Sequence, residues 1–195
     1  MTTSQSTTQV PMSWSPDGQF LAYIDVNPET SNDIWVMRLK DRKAEPFLRT
    51  SFNESVPRFS PDSRYLLYVS NESGRFEVYV QPYPGPGGKW QVSTEGGTEP
   101  SWNRNGLEIF YRSGNKMMAV DVSTHPGFSA GKPRTLFQGE YLQSPVTAPN
   151  YDISPDGQKF LMLKTTDSAQ ASPTEIQIVL NWFEELKQRV PTGKD

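Results

Sequence analysis

Trp14-Ser15-Pro16-Asp17-Gly18, followed after Gln19 by Phe20-Leu21-Ala22-Tyr23-Ile24, couples a rigid bend to an apolar run. The phrase returns as Phe59-Ser60-Pro61-Asp62-Ser63 before Tyr65-Leu66-Leu67-Tyr68-Val69, and as Ile153-Ser154-Pro155-Asp156-Gly157 before Phe160-Leu161-Met162-Leu163. A degenerate copy, Trp102-Asn103-Arg104-Asn105-Gly106, precedes Ile109-Phe110-Tyr111. Pro16, Pro61, Arg104 and Pro155 hold the same place, 45, 43 and 51 residues apart. Proline presets φ for a turn, aspartate bonds backbone N–H groups ahead of it, and glycine accepts the positive φ that closes the bend. Self-similarity at this period, built from short strands and turns, predicts an all-β propeller with one blade per repeat.

Each apolar run reads as a strand buried on both faces between neighbouring blades. A more alternating strand follows: Asp33 to Leu39, Glu77 to Val80, Met117 to Val122 and Glu175 to Val179. An outer strand follows in the first three repeats, at Pro46 to Thr50, Trp90 to Ser93 and Arg134 to Phe137. The reading is a polar lead over 1–9, blades over 10–50, 55–94, 99–138 and 149–180, and a tail over 191–195. Between the last blade and the tail, 181–190 reads as a short C-terminal helix, with Trp182, Phe183, Leu186 and Val190 on one face. The fourth repeat thus lacks an outer strand of its own, and the Thr-rich N-terminus is the candidate to supply it. Trp14, Trp35, Phe59, Tyr79 and Trp102 are expected to pack between blades.

Composition narrows the function. The chain has 195 residues, a net charge of −3 and no basic run, which argues against nucleic acid as partner. No stretch approaches the roughly 18 apolar residues of a membrane helix, and no signal-peptide core follows Met1. There is no cysteine, so thiolate chemistry and disulfides are excluded. Cytoplasm and periplasm remain equally open.

The bends and strands together resemble the TolB-type, WD40-like propeller repeats, over about residues 10 to 180. Trp14 to Gly18 with Ile34-Trp35-Val36, and Phe59 to Ser63 with Val78-Tyr79-Val80, are the close matches. The third copy departs by replacing Ser-Pro-Asp with Asn103-Arg104-Asn105. The tail, Val179 to Lys187, is similar to the C-terminal end of bacterial proteins in which such a propeller follows a Ser/Thr kinase domain. That resemblance implies a sensory or protein-interaction module. TolB-type propellers are also accessory domains of prolyl-oligopeptidase-like hydrolases. Kinase signatures are missing from this sequence.

Two function classes follow. The leading one is a non-catalytic module that presents loops to a protein or peptide, with Tyr83, Trp90, Tyr141 and Tyr151 as binding aromatics. The other is a serine-type ester or peptide hydrolase, or the propeller portion of one. His125 is the sole histidine and hence the sole candidate base, with Ser113, Ser123 and Asp121 as its partners. No cofactor or metal is expected: Asp17, Asp62 and Asp156 recur as turn caps, and Glu95 and Glu99 lie in a Gly-rich stretch with no acid–base partner. Family propellers usually close with more than four blades. A closed ring, completion by a second copy and a fragment of a longer chain all remain, with the homodimer as leading reading.

Overall fold

The computed structural model describes residues 8–144, 149–164 and 177–179, the last as backbone only. Four antiparallel sheets follow one another along the chain. The first joins β1 (Thr8–Trp14), β2 (Phe20–Asn27), β3 (Ser31–Arg38) and β4 (Lys43–Leu48). The second joins β5 (Glu54–Phe59), β6 (Tyr65–Ser70), β7 (Glu77–Pro82) and β8 (Trp90–Gln91). The third contains β9 (Thr98–Trp102), β10 (Glu108–Ser113) and β11 (Lys116–Ser123), with β12 (Ser129–Ala130) and β13 (Arg134–Gln138) both on the outer edge of β11. The fourth has three strands among the described residues: β14 (Tyr151–Ile153), β15 (Phe160–Met162) and β16 (Gln177–Val179). These are blades of a partial β-propeller. β1 begins at Thr8, inside the segment read as a polar lead, and the helix read over 181–190 lies outside the described residues.

The four bends have one geometry. Gly18, Ser63, Gly106 and Gly157 adopt φ of 70°, 61°, 73° and 72°. Each donates its N–H to the carbonyl three residues back, Ser15, Ser60, Asn103 or Ser154, at 2.8–2.9 Å. Asp17, Asp62 and Asp156 accept from the serine hydroxyl at 2.5–2.6 Å and from the backbone N–H two residues on at 3.0–3.2 Å. In the degenerate copy Asn105 Oδ1 takes the same backbone bond from Leu107 at 2.9 Å. An amide thus reproduces the cap without the charge, and the third repeat survives its lost Ser-Pro-Asp.

In the second and third blades the strand after the bend is apolar on both faces because it is second in its sheet and flanked by other blades. Leu66, Leu67, Tyr68 and Val69 are all buried. Between the first and second blades, Ala22 and Val36 meet Phe59 and Leu66, and Ile34 meets the Tyr68–Tyr79 stack. Between the second and third, Val56, Tyr65, Leu67, Val78 and Val80 meet Trp102, Ile109, Tyr111 and Phe128. Between the third and fourth, Phe110, Met117 and Leu136 meet Phe160 and Met162.

Phe59, Trp102 and Ile153, which share one place in the repeat, each pack back onto the preceding blade. Trp14 holds that place in the first blade and is 63% exposed, so the expectation that it packs between blades is corrected. Its side chain finds no sheet against it among the described residues.

Glu54 and Asp33 are carboxyls buried at a net cost. Glu54 is buried at the start of β5, with Oε1 accepting from Thr50 Oγ1 at 2.5 Å and Oε2 without a partner. Burial pushes its pKa up from 4.5, more than the Thr50 bond lowers it. A carboxyl raised on folding carries its penalty above the folded pKa and is free of it below the unfolded one. Glu54→Gln is therefore expected to add about 1 kcal/mol at pH 7. Urea melts at successive pH values should show that advantage shrinking as pH falls through the raised pKa. A variant less stable than wild type at neutral pH would contradict this reading.

Candidate functional site

His125 lies in the turn after β11 and reaches the bend of the second blade. Arg64 Nη1 donates to its Nδ1 at 2.9 Å and to the Thr124 carbonyl at 3.1 Å. Its Nε2 stands 3.8 Å from Asp62 Oδ2. With Nδ1 accepting from a guanidinium, the ring proton belongs on Nε2, facing the carboxylate. The nitrogen that a hydrolytic base would use is thus occupied by Arg64.

The proposed partners of His125 lie elsewhere. Ser123 Oγ donates to the His125 carbonyl at 2.8 Å and does not bond its ring. Ser113 Oγ donates to the Glu95 carbonyl at 3.2 Å, at the opposite end of β11 from His125. Asp121 accepts from Arg134 at 2.9 Å. The four residues do not assemble as nucleophile, base and orienting acid. Their chemistry is that of a seam: the Asp62, Arg64 and His125 side chains tie a bend of one blade to a turn of the next.

A cleft of about 460 Å³ opens between the first two blades, where β3 and β4 of the first face the end of β7 and the turn after it in the second. Phe20 at the start of β2, Phe47 on β4 and Tyr83 just past β7 supply three of its rings, with Val36, Pro46 and Pro84 beside them. Tyr83 is the hub: its ring lies 5.0 Å from Phe20, 5.4 Å from Phe59 and 5.9 Å from Phe47. Its N–H donates to the Arg64 carbonyl at 2.8 Å, which fixes the strand end beneath it. Burial pushes its phenol up, and nearby Glu45 adds to that while Arg38 opposes it. Arg38, Lys43, Glu45 and Gln81 complete the lining, and Arg38 Nε pairs with Asp41 at 3.1 Å. Charges of both signs therefore surround an aromatic pocket whose volume falls in the usual range of roughly 300–1,000 Å³ for ligand sites.

The other aromatics read as binding groups make packing contacts away from this cleft. Trp90 packs on Phe128 at 5.1 Å and Tyr65 at 6.2 Å. Tyr141 packs on Phe137 at 6.0 Å and lies over Arg112 at 5.5 Å. Tyr151 donates its hydroxyl to the Glu99 carbonyl at 2.7 Å, and burial pushes that phenol up. Of the four, Tyr83 alone lines the cleft. Phe20 and Phe47 were missed as site residues; their only signal is the apolar character of strand ends facing the Pro-rich 81–88 turn.

Among the described residues no three His, Cys, Asp or Glu side chains are placed to hold a metal ion. No helix among them is long and apolar enough to cross a membrane.

Residues 1–173 match a family model described as the TolB beta propeller domain. The chain is 28% identical over 155 residues to an uncharacterized peptidase of Bacillus subtilis (strain 168), YuxL, covering 74% of this chain and 22% of the relative. Among solved structures it is similar to TolB from Acinetobacter baumannii, with a TM-score of 0.63 and 18% identity, over 82% of this chain and 38% of that one. A puromycin-hydrolyzing peptidase of Mycobacterium tuberculosis matches with a TM-score of 0.54 and 16% identity, over 82% of this chain and 26% of that one. The chain thus spans well under half of each of these proteins.

Proposed function

The chain belongs to the TolB β-propeller domain family, and from that premise we propose that it is a non-catalytic protein- or peptide-binding module. The observation that carries this reading is the Tyr83 cleft, an aromatic pocket with a mixed-charge lining at a blade seam. An apolar side chain from a peptide would fill it, with backbone and polar neighbours meeting Gln81, Lys43 and Glu45. Panning a random peptide library on the protein tests this. A consensus with an apolar anchor is expected, and Tyr83→Ala should weaken its binding at least about tenfold. Failure to enrich any sequence, or a consensus indifferent to Tyr83, would remove the support.

A second reading is favoured by the peptidase relative: the chain is a serine-type hydrolase or the propeller portion of one, and the first of these is open to a direct assay. On the leading reading the protein hydrolyses p-nitrophenyl acetate no faster than buffer, and His125→Ala leaves that unchanged. Turnover abolished by His125→Ala would reverse the ranking.

We also propose that a second copy completes the propeller. The support is the exposed apolar side chains at both ends of the blade series, Trp14 in the first blade and Leu161 and Leu163 in the fourth. Light scattering should return twice the 22.0 kDa of one chain.

A further inference from the structure

Two blade seams are built from the same places in the repeat, and one of them is full. Between the second and third blades, the ring of Phe128, in the turn after β11, lies 5.5 Å from Tyr65 and 6.4 Å from Trp102. Between the first and second, the ring of Tyr83, just past β7, lies 5.0 Å from Phe20 and 5.4 Å from Phe59. Phe20 and Tyr65 open the second strand of their own blades, while Phe59 and Trp102 close the first strand of the blade that follows. Tyr83 and Phe128 are therefore equivalent plugs, each sent back into a seam by the later of its two blades.

The seams part company at the outer strand. Val36 pairs with Ala22 and Val80 with Leu67, so the two valines hold one place in the repeat. Across from them stand Glu45 on β4 and Trp90 on β8. Trp90 meets the plug Phe128 at 5.1 Å and Tyr65 at 6.2 Å, so its indole completes the second seam. In the first seam that place carries the exposed Glu45 instead, and there the cleft of about 460 Å³ opens beside Phe20 and Tyr83. Phe47, left out of register at the β3–β4 bulge, meets Tyr83 at 5.9 Å but makes no ring contact with Phe20 among the described residues. Phe20 and Tyr83 line the cleft as Tyr65 and Phe128 line the Trp90 ring.

We propose that the cleft takes the aromatic side chain of a peptide, its ring seated where the Trp90 indole sits one seam on. This rests on the peptide-binding reading above and names the anchor. An aliphatic anchor would also bury apolar area, but it would forgo the edge-to-face and offset contacts that aromatic pairs add beyond burial.

Titrating the isotope-labelled protein with N-acetyl-tryptophanamide and with N-acetyl-leucinamide, followed by backbone amide shifts, tests the anchor. The tryptophan probe is expected to shift the amides of Arg38, Phe47 and Tyr83, and to bind at least about fivefold more tightly than the leucine probe. Glu45→Trp supplies the indole from the chain itself. It should weaken the tryptophan probe at least about tenfold while the protein stays folded by circular dichroism, whereas Glu45→Ala should keep affinity within about twofold. A leucine probe that binds as tightly overturns the aromatic anchor and leaves the peptide-binding reading standing. If neither probe shifts the cleft amides, both fall. Undiminished binding to folded Glu45→Trp protein overturns the equivalence with the Trp90 seam. Should that variant unfold, the two probes on wild type decide between an aromatic and an aliphatic anchor by themselves.

Discussion

Replacing Trp102 by alanine is expected to destabilise the chain by about 3–5 kcal/mol, the usual cost of truncating a core aromatic. Trp102 closes β9 and is buried between the second and third blades among Val56, Tyr65, Ile109 and Phe128. Its indole N–H donates to the Arg58 carbonyl at 3.2 Å, and its ring meets Phe128 edge-on at 6.4 Å. Alanine there opens a cavity and leaves a buried carbonyl short of its donor. Trp14 holds the same place in the repeat, and Trp14→Ala should cost the monomer less than about 1 kcal/mol because its ring is mostly in water. Denaturant melts at a concentration where the chain is monomeric separate the two. Equal losses would mean that exposure at this place in the repeat does not track packing, and the blade-by-blade equivalence would fail with it.

The contrast marks what the sequence could reveal. The bends were legible because their chemistry is local: a proline φ, an Asx-type bond two residues on and a positive φ at the fourth place. The buried second strands were legible because their apolar runs are continuous. Exposure of Trp14 was not, since identical local sequence is buried or bare according to whether another blade stands beside it. The same limit governs the site. Trp90, Tyr141 and Tyr151 neighbour Pro-, Gly- or Ser-bearing turns and so read as exposed, but each ring folds back over a seam. The Arg64–His125 contact spans 61 residues and links two turns that carry no common motif. Tyr83 stands out in the sequence because a tyrosine in a Pro-rich turn is itself a signal. Its partners Phe20 and Phe47 become visible only once the first two sheets are placed side by side.

Glu99 is the polar counterpart of Trp102, and Glu99→Ala should cost about 3 kcal/mol or more, from two charge-assisted hydrogen bonds of roughly 1.5–3 kcal/mol each. A carboxylate in a Gly-rich stretch reads as a mobile surface group, yet this one is fully buried. Its Oε1 accepts from Ser144 N at 2.7 Å and its Oε2 from Asn150 N at 2.9 Å, while its carbonyl takes the Tyr151 hydroxyl. One side chain therefore clamps both flanks of the connection into the fourth blade. Truncation should unfasten that blade first, so amide exchange in β14 and β15 is expected to rise before that in β6 or β10. The backbone allows a sharper control. Glu99 sits at φ 52°, in the left-handed region, immediately before Pro100 at a bulge, and Val56 repeats that conformation before Pro57. Glycine relieves such strain by about 1 kcal/mol. Glu99→Gly should therefore be less damaging than Glu99→Ala although both delete the carboxylate. If alanine proves the milder of the two, or if exchange in the fourth blade stays unchanged in both, the clamp does not hold that blade.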